Sequence, residues 1–131
     1  MKKLLILTFA FISFLSCTDS DQDMKDPFIG TWYKFSYQGK EVSDCEKKTT
    51  FKVEENGNIS ISSFEEYENN CIDDGTASGK WSKHNGNTYG ITLTEDSSPS
   101  LRELTFKDNN NTFSFTDNEN GKTFTYTYKR K

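Results

Sequence analysis

The stretch TFSFTDNENGKTFTYTY, residues 112–128, alternates five rings with Ser and Thr on either side of an Asn-Gly. A period of two is the signature of a strand with one face buried and one face wet. Asn-Gly between two such runs is the strongest short-range signal for a tight hairpin, because both residues tolerate the left-handed backbone that a two-residue loop requires. With Asn120-Gly121 as that loop, Phe115 faces Tyr126 and Phe113 faces Tyr128, so four rings share one face. A slip of one residue would scatter them, so the register is self-consistent.

The same pattern extends outward. Thr49-Phe51-Val53, Ile59-Ile61, Tyr89-Ile91-Leu93 and Leu104-Phe106 are each interleaved with polar residues and separated by Asn-Gly or Asn-rich turns. At Asn56-Gly57 a two-residue loop would put the apolar residues on opposite faces. A three-residue loop over 55–57, with Gly57 left-handed, restores the phase and pairs Phe51 with Ile61. The equivalent loop over 84–86 pairs Trp81 with Tyr89.

About eight strands are expected, over 29–37, 47–54, 58–67, 77–83, 87–94, 101–107, 112–117 and 122–129. The first carries rings on both faces after Trp32, which predicts a bulge. Successive short hairpins make an all-β antiparallel meander, and closing it as an up-and-down β-barrel removes the edges that invite aggregation.

Composition agrees. Only 32% of residues are hydrophobic but 15% are aromatic, so buried area comes from a few large rings, and helix formers are scarce. The net charge of −4 becomes −6 when Lys2 and Lys3 leave with the leader described next. That sign excludes nucleic acid as a partner, since phosphate binding needs a basic stripe.

Residues 1–16 read as an export signal: Lys2-Lys3, then an apolar run of about twelve residues ending at Phe14-Leu15, too short to span a bilayer as a helix. Ser16-Cys17 directly after it resembles the lipobox of bacterial lipoproteins, although Phe14 and Leu15 stand where that motif usually has Leu and a small residue. The alternative is an ordinary secretory signal. The resemblance implies that Cys17 is lipidated and becomes the N-terminus. Each buried CH2 of an acyl chain contributes about 0.8 kcal/mol, so several chains anchor stably. Thr18 at the next position implies outer-membrane sorting, and Asp19-Ser20-Asp21-Gln22-Asp23 is similar to the acidic stretch used for surface export in some Gram-negative lipoproteins. A solvated tether explains the same residues. The expected organisation is therefore a signal peptide over 1–16, lipidated Cys17 with an acidic linker over 17–26, and one β domain over 27–131.

With Cys17 assigned to lipid, Cys45 and Cys71 remain as an even pair in an exported chain, a candidate disulfide if the segment at Asn69-Asn70 folds back. His84 is the only histidine and lies in a turn, so no metal site or cofactor is expected. The two tryptophans each sit in a Gly-x-Trp, Gly30-Thr31-Trp32 and Gly79-Lys80-Trp81. Ile29-Gly30-Thr31-Trp32 opening an eight-strand meander, with Cys45 and Cys71 so placed, resembles the lipocalin-like domains of small Gram-negative lipoproteins. The resemblance implies that Trp32 plugs the closed end of the barrel and that Arg130 packs on it.

No Ser/His/Asp set, metal cluster or phosphate-cradling loop is present, which reads as a non-enzyme. An eight-stranded barrel either just fills with side chains or holds one small ligand. The inward candidates for a small hydrophobic ligand are Trp32, Phe51, Ile61, Trp81, Tyr89, Ile91, Phe106, Phe113, Phe115, Phe124 and Tyr126, and most of them would be core under either reading. A monomer is expected, held to the outer membrane by its lipid. The second reading is a surface interaction module with a filled core, an inhibitor of a basic enzyme such as lysozyme, motivated by the acidic charge and by Glu65-Glu66-Tyr67-Glu68.

Overall fold

The computed structural model describes residues 24–131. The leader, Cys17 and the linker as far as Asp23 lie outside the described residues.

The described residues form ten strands: β1 (Gly30–Tyr37), β2 (Lys40–Glu41), β3 (Thr50–Val53), β4 (Asn58–Tyr67), β5 (Asn70–Lys83), β6 (Thr88–Leu93), β7 (Ser100–Glu103), β8 (Thr105–Lys107), β9 (Thr112–Glu119) and β10 (Lys122–Arg130). They make one antiparallel sheet in the order β7-β6-β5-β4-β3-β1-β10-β9-β8, with the short β2 on β1. The only helical piece among the described residues is a 3-10 turn at Glu46–Lys48, where a strand over 47–54 was expected.

The opening hairpin has the expected register, with Phe115 opposite Tyr126 and Phe113 opposite Tyr128. Phe51 lies opposite Ile61, and Gly57 adopts the left-handed backbone that this loop demands, φ 84°. The register of β1 on β10 shifts between Lys34 and Ser36, the bulge foreseen from the misplaced rings.

Three features differ from expectation. Trp81 lies opposite Ile91, not Tyr89, because the His84 amide donates to the Thr88 carbonyl and the Thr88 amide to the Asn85 carbonyl, which moves the loop one residue along, to Asn85-Gly86-Asn87. The shift changes partners by two, so every side chain keeps its face. The strand expected over 77–83 begins at Asn70, since Glu68 and Asn69 both adopt positive φ, 48° and 62°, and fold β5 tightly back on β4. That turn sets Cys71 opposite Glu66 and within reach of Cys45, and the two form a disulfide with Cα atoms 5.3 Å apart.

The strand expected over 101–107 breaks at Leu104. There the amide donates to the Asn87 carbonyl at 2.9 Å and the side chain turns into the core. Before the break the chain pairs with β6, and after it with β9. The two edges of the sheet are thus consecutive in the chain.

The core is a run of rings. Phe28, Trp32, Tyr89 and Phe113 are fully buried, with Val53, Ile59, Leu104 and Tyr128 beside them. Phe113 meets Trp32 edge-on at 4.8 Å and stacks on Tyr128 at 5.1 Å, and Phe51 stacks on Tyr128 at 4.6 Å. Such pairs contribute about 0.5–1.5 kcal/mol beyond the area they bury.

Candidate functional site

One end of the sheet is closed by the segment before β1. Asp26 is its hub: one carboxylate oxygen accepts from the Phe28 amide and the Tyr89 hydroxyl, both at 2.9 Å, and the other from Lys83 Nζ at 2.9 Å. Burial alone would raise the Asp26 carboxyl, but the hydrogen bonds from Lys83, the Phe28 amide and Tyr89 together outweigh it and hold it below its ordinary value. The same burial, with the bond to Asp26, pushes the Tyr89 phenol up to about 12.

This hub drives Phe28 into the core, where it packs on Trp81, Tyr89 and Phe113 with centroids 4.9–5.7 Å apart. The Trp32 indole N–H donates to the Phe28 carbonyl at 2.8 Å. The Arg130 guanidinium lies 4.2 Å from the Trp32 ring and donates to the carbonyls of Pro27, Ile29 and Asn110 at 2.9 Å each. Gly30, at φ 144°, leaves the space that guanidinium occupies, and a Cβ there would collide with it.

Beyond this plug lies an apolar cavity of about 260 Å³. Phe28, Tyr89, Leu104 and Phe113 form its floor, and Phe51, Ile61, Ile91, Leu93 and Phe115 its walls. Its polar lining is confined to Asp96, Ser100, Arg102 and Asp117. The Arg102 Nε sits 2.8 Å from Asp117 Oδ1, and its Nη2 donates to Oδ2 at 3.1 Å. The pair joins β7 to β9 across the two edges of the sheet. The guanidinium also lies 5.9 Å from the Phe115 ring centroid.

Of the eleven residues proposed from sequence, Phe51, Ile61, Tyr89, Ile91, Phe113 and Phe115 line this cavity. The other five do not. Trp32 lies below, against Phe106 and Phe113. Trp81 packs on Phe28 and donates its indole N–H to the Glu54 carbonyl at 2.7 Å. Phe106 contacts Trp32, Tyr89 and Phe113 in the core. Phe124 stacks on Tyr37, and Tyr126 packs between Tyr37 and Phe115, further along β10.

Phe28 and the polar residues at the mouth were not foreseen. Arg102 and Asp117 carried a readable signal, since 113, 115 and 117 share parity on one strand and 102, 104 and 106 on another. Asp96 and Ser100 lie in an irregular segment where alternation says nothing.

No protein-family model matches the chain, and no curated protein sequence does. Among the described residues no group of three or more His, Cys, Asp or Glu is placed to hold a metal ion, and no helix is long and apolar enough to cross a membrane.

Proposed function

We propose that the chain is an outer-membrane-anchored lipoprotein whose sheet closes as a lipocalin-like barrel and whose interior binds one small hydrophobic molecule. The observation that carries the reading is the aromatic-walled cavity of about 260 Å³ with its few polar groups gathered at one side. Pockets of this kind, mostly apolar with a few convergent polar groups, are where small molecules bind. A dry cavity of about 150 Å³ already admits benzene, so the volume here suits a molecule of one or two rings rather than a long lipid.

Closure is supported by continuity through Leu104. Counting β7 and β8 as one strand that pairs at both edges, and leaving out the two-residue β2, gives eight strands. The Arg102–Asp117 pair spans the remaining gap. The anchor rests on Cys17 and its leader, and it assigns holding to the lipid and binding to the domain.

The test is native mass spectrometry of the protein isolated from its own host, followed by exposure to a lipid extract of that host. A retained or acquired small apolar mass at one-to-one stoichiometry supports the reading, and none in either experiment sinks it.

A second reading, an interaction module for a basic partner, has its own observation. The β4–β5 hairpin tip exposes Tyr67 at 63% and Ile72 at 45%, among Glu65, Glu66, Glu68, Asp73 and Asp74. Pull-down at low salt, with Tyr67→Ala as the control, tests it: capture of the same partner by both proteins would remove the hairpin from consideration.

A further inference from the structure

We infer that the cavity selects molecules whose polar end is cationic or a neutral donor, and rejects carboxylates such as fatty acids. The inference rests on the binding reading above and goes beyond it by naming the class of ligand head group.

The charged residues lining the cavity are Asp96, Arg102 and Asp117, a net charge of −1. The one cation is already engaged on all three nitrogens: Nε and Nη2 with Asp117, and Nη1 with the Leu101 carbonyl at 2.9 Å. Those contacts take three of its five N–H donors, so a ligand carboxylate has at most the two remaining Nη protons, and to reach them it must sit beside the Asp117 carboxylate in a cavity that Asp96 also lines. Like charges brought together in a partly dry site repel more strongly than in water.

A cationic head meets the opposite situation. Asp96 accepts one amide, from Leu93 at 3.3 Å, and its remaining lone pairs are open to a donor. The rings of Phe115 and Phe51 both line the cavity, so an ammonium held there also meets aromatic surface that favours positive charge. An apolar ring fits the floor of Phe28, Tyr89 and Phe113. The combination describes an aryl-alkyl amine, or its neutral alcohol, in preference to an aryl acid.

Asp96 is exposed, so the attraction it offers a cation is that of a surface pair, which is modest. Gaining that attraction for an amine and suffering the reverse for an acid together separate the two by about tenfold in affinity.

The experiment compares three probes that share one ring system: tryptamine, indole-3-acetate and 3-methylindole. Each is measured by equilibrium dialysis at pH 7 against the full chain in phosphatidylcholine nanodiscs, with empty nanodiscs as the blank. The expected order is tryptamine tightest, 3-methylindole next and indole-3-acetate weakest, with about tenfold between the first and last. Asp96→Asn, an exposed substitution outside the core, is expected to shrink that ratio to about threefold or less. If 3-methylindole binds but indole-3-acetate equals or exceeds tryptamine, or if Asp96→Asn leaves the ratio untouched, the selectivity is overturned while the cavity reading survives. If none of the three binds above the blank, the cavity reading falls and this inference with it.

Discussion

Arg102 on β7 and Asp117 on β9 meet through two parallel contacts, at 2.8 and 3.1 Å, between strands that are not neighbours in the hydrogen-bonded sheet. The paired fork geometry is the strong form of a guanidinium–carboxylate contact. Its side chains are 31% and 25% exposed, so solvent screens it in part. Arg102→Ala and Asp117→Ala should each cost about 1 kcal/mol, and the double mutant little more, with a coupling near 0.5–1 kcal/mol in a double-mutant cycle. Fully additive losses in urea melts would show that the two residues do not stabilise the seam together.

Asp26 joins the segment before β1 to β5 and β6 through Lys83 and Tyr89. Asp26→Asn should destabilise the fold at pH 7 by about 1–3 kcal/mol, the usual consequence of removing a charged acceptor from several donors. Because the folded carboxyl is held below its ordinary value of 3.8, its contribution is present above that pH and lost as pH falls through the lower folded value. Chemical denaturation at pH 7 and pH 2.5 should therefore show the gap between wild type and Asp26→Asn narrowing on acidification.

Tyr89 behaves in the opposite sense. The folded phenol titrates near 12 rather than 10, so the neutral form is favoured by the fold. Its stabilisation is complete below pH 10 and disappears as pH rises through 12. Burial raises the Tyr128 and Tyr126 phenols as well, so absorbance titration at 295 nm should find several tyrosines ionising late in the wild type, with the late amplitude smaller by one residue in Tyr89→Phe. Loss of the hydroxyl's bond to Asp26 should itself cost about 1 kcal/mol at pH 7.

The Cys45–Cys71 bridge links positions 26 residues apart. On the chain-entropy model a loop of that length contributes about 3–4 kcal/mol. Paired Cys45→Ala and Cys71→Ala substitutions should lower the melting temperature by well over 10 °C in a domain of this size. A shift of only one or two degrees would mean that the core alone holds the β4–β5 hairpin.

Trp32 is fully buried beneath Arg130. Trp32→Ala should cost about 3–5 kcal/mol through the cavity it leaves. Arg130→Ala should cost less, about 1–3 kcal/mol, since the carbonyls of Pro27, Ile29 and Asn110 lose their donor. Equal losses for the two variants in urea melts would contradict the assignment of Trp32 as the packed element and Arg130 as the tie.

Much of the fold was legible because its information is local. Asn120-Gly121 and the rings on either side specify their own register, and the phase argument at Gly57 needed only the parity of Phe51 and Ile61. The failures lie where long-range contacts decide. Nothing near Leu104 announces that its amide will bond to Asn87, and the path of Cys71 depends on Glu68 and Asn69 taking left-handed backbones, unusual for Glu.

The candidate site follows the same division. Alternation identifies which side chains face inward, but not which of them surround empty space: Phe106 and Phe115 share that inward character, yet only Phe115 borders the cavity. Phe28 precedes the first strand and has no period to betray it. Its burial comes from the Asp26 hub, a set of contacts with partners about 60 residues away.

The central claim, that the interior holds a small apolar molecule, is tested most directly by dialysing 3-methylindole against the full chain in nanodiscs and against Leu93→Trp, a change that fills the cavity from its wall. The account predicts saturable one-to-one binding by the wild type and none by Leu93→Trp, whose melting temperature should stay within a few degrees of the wild type. Equal binding by both proteins, or no saturable binding by the wild type, would contradict it.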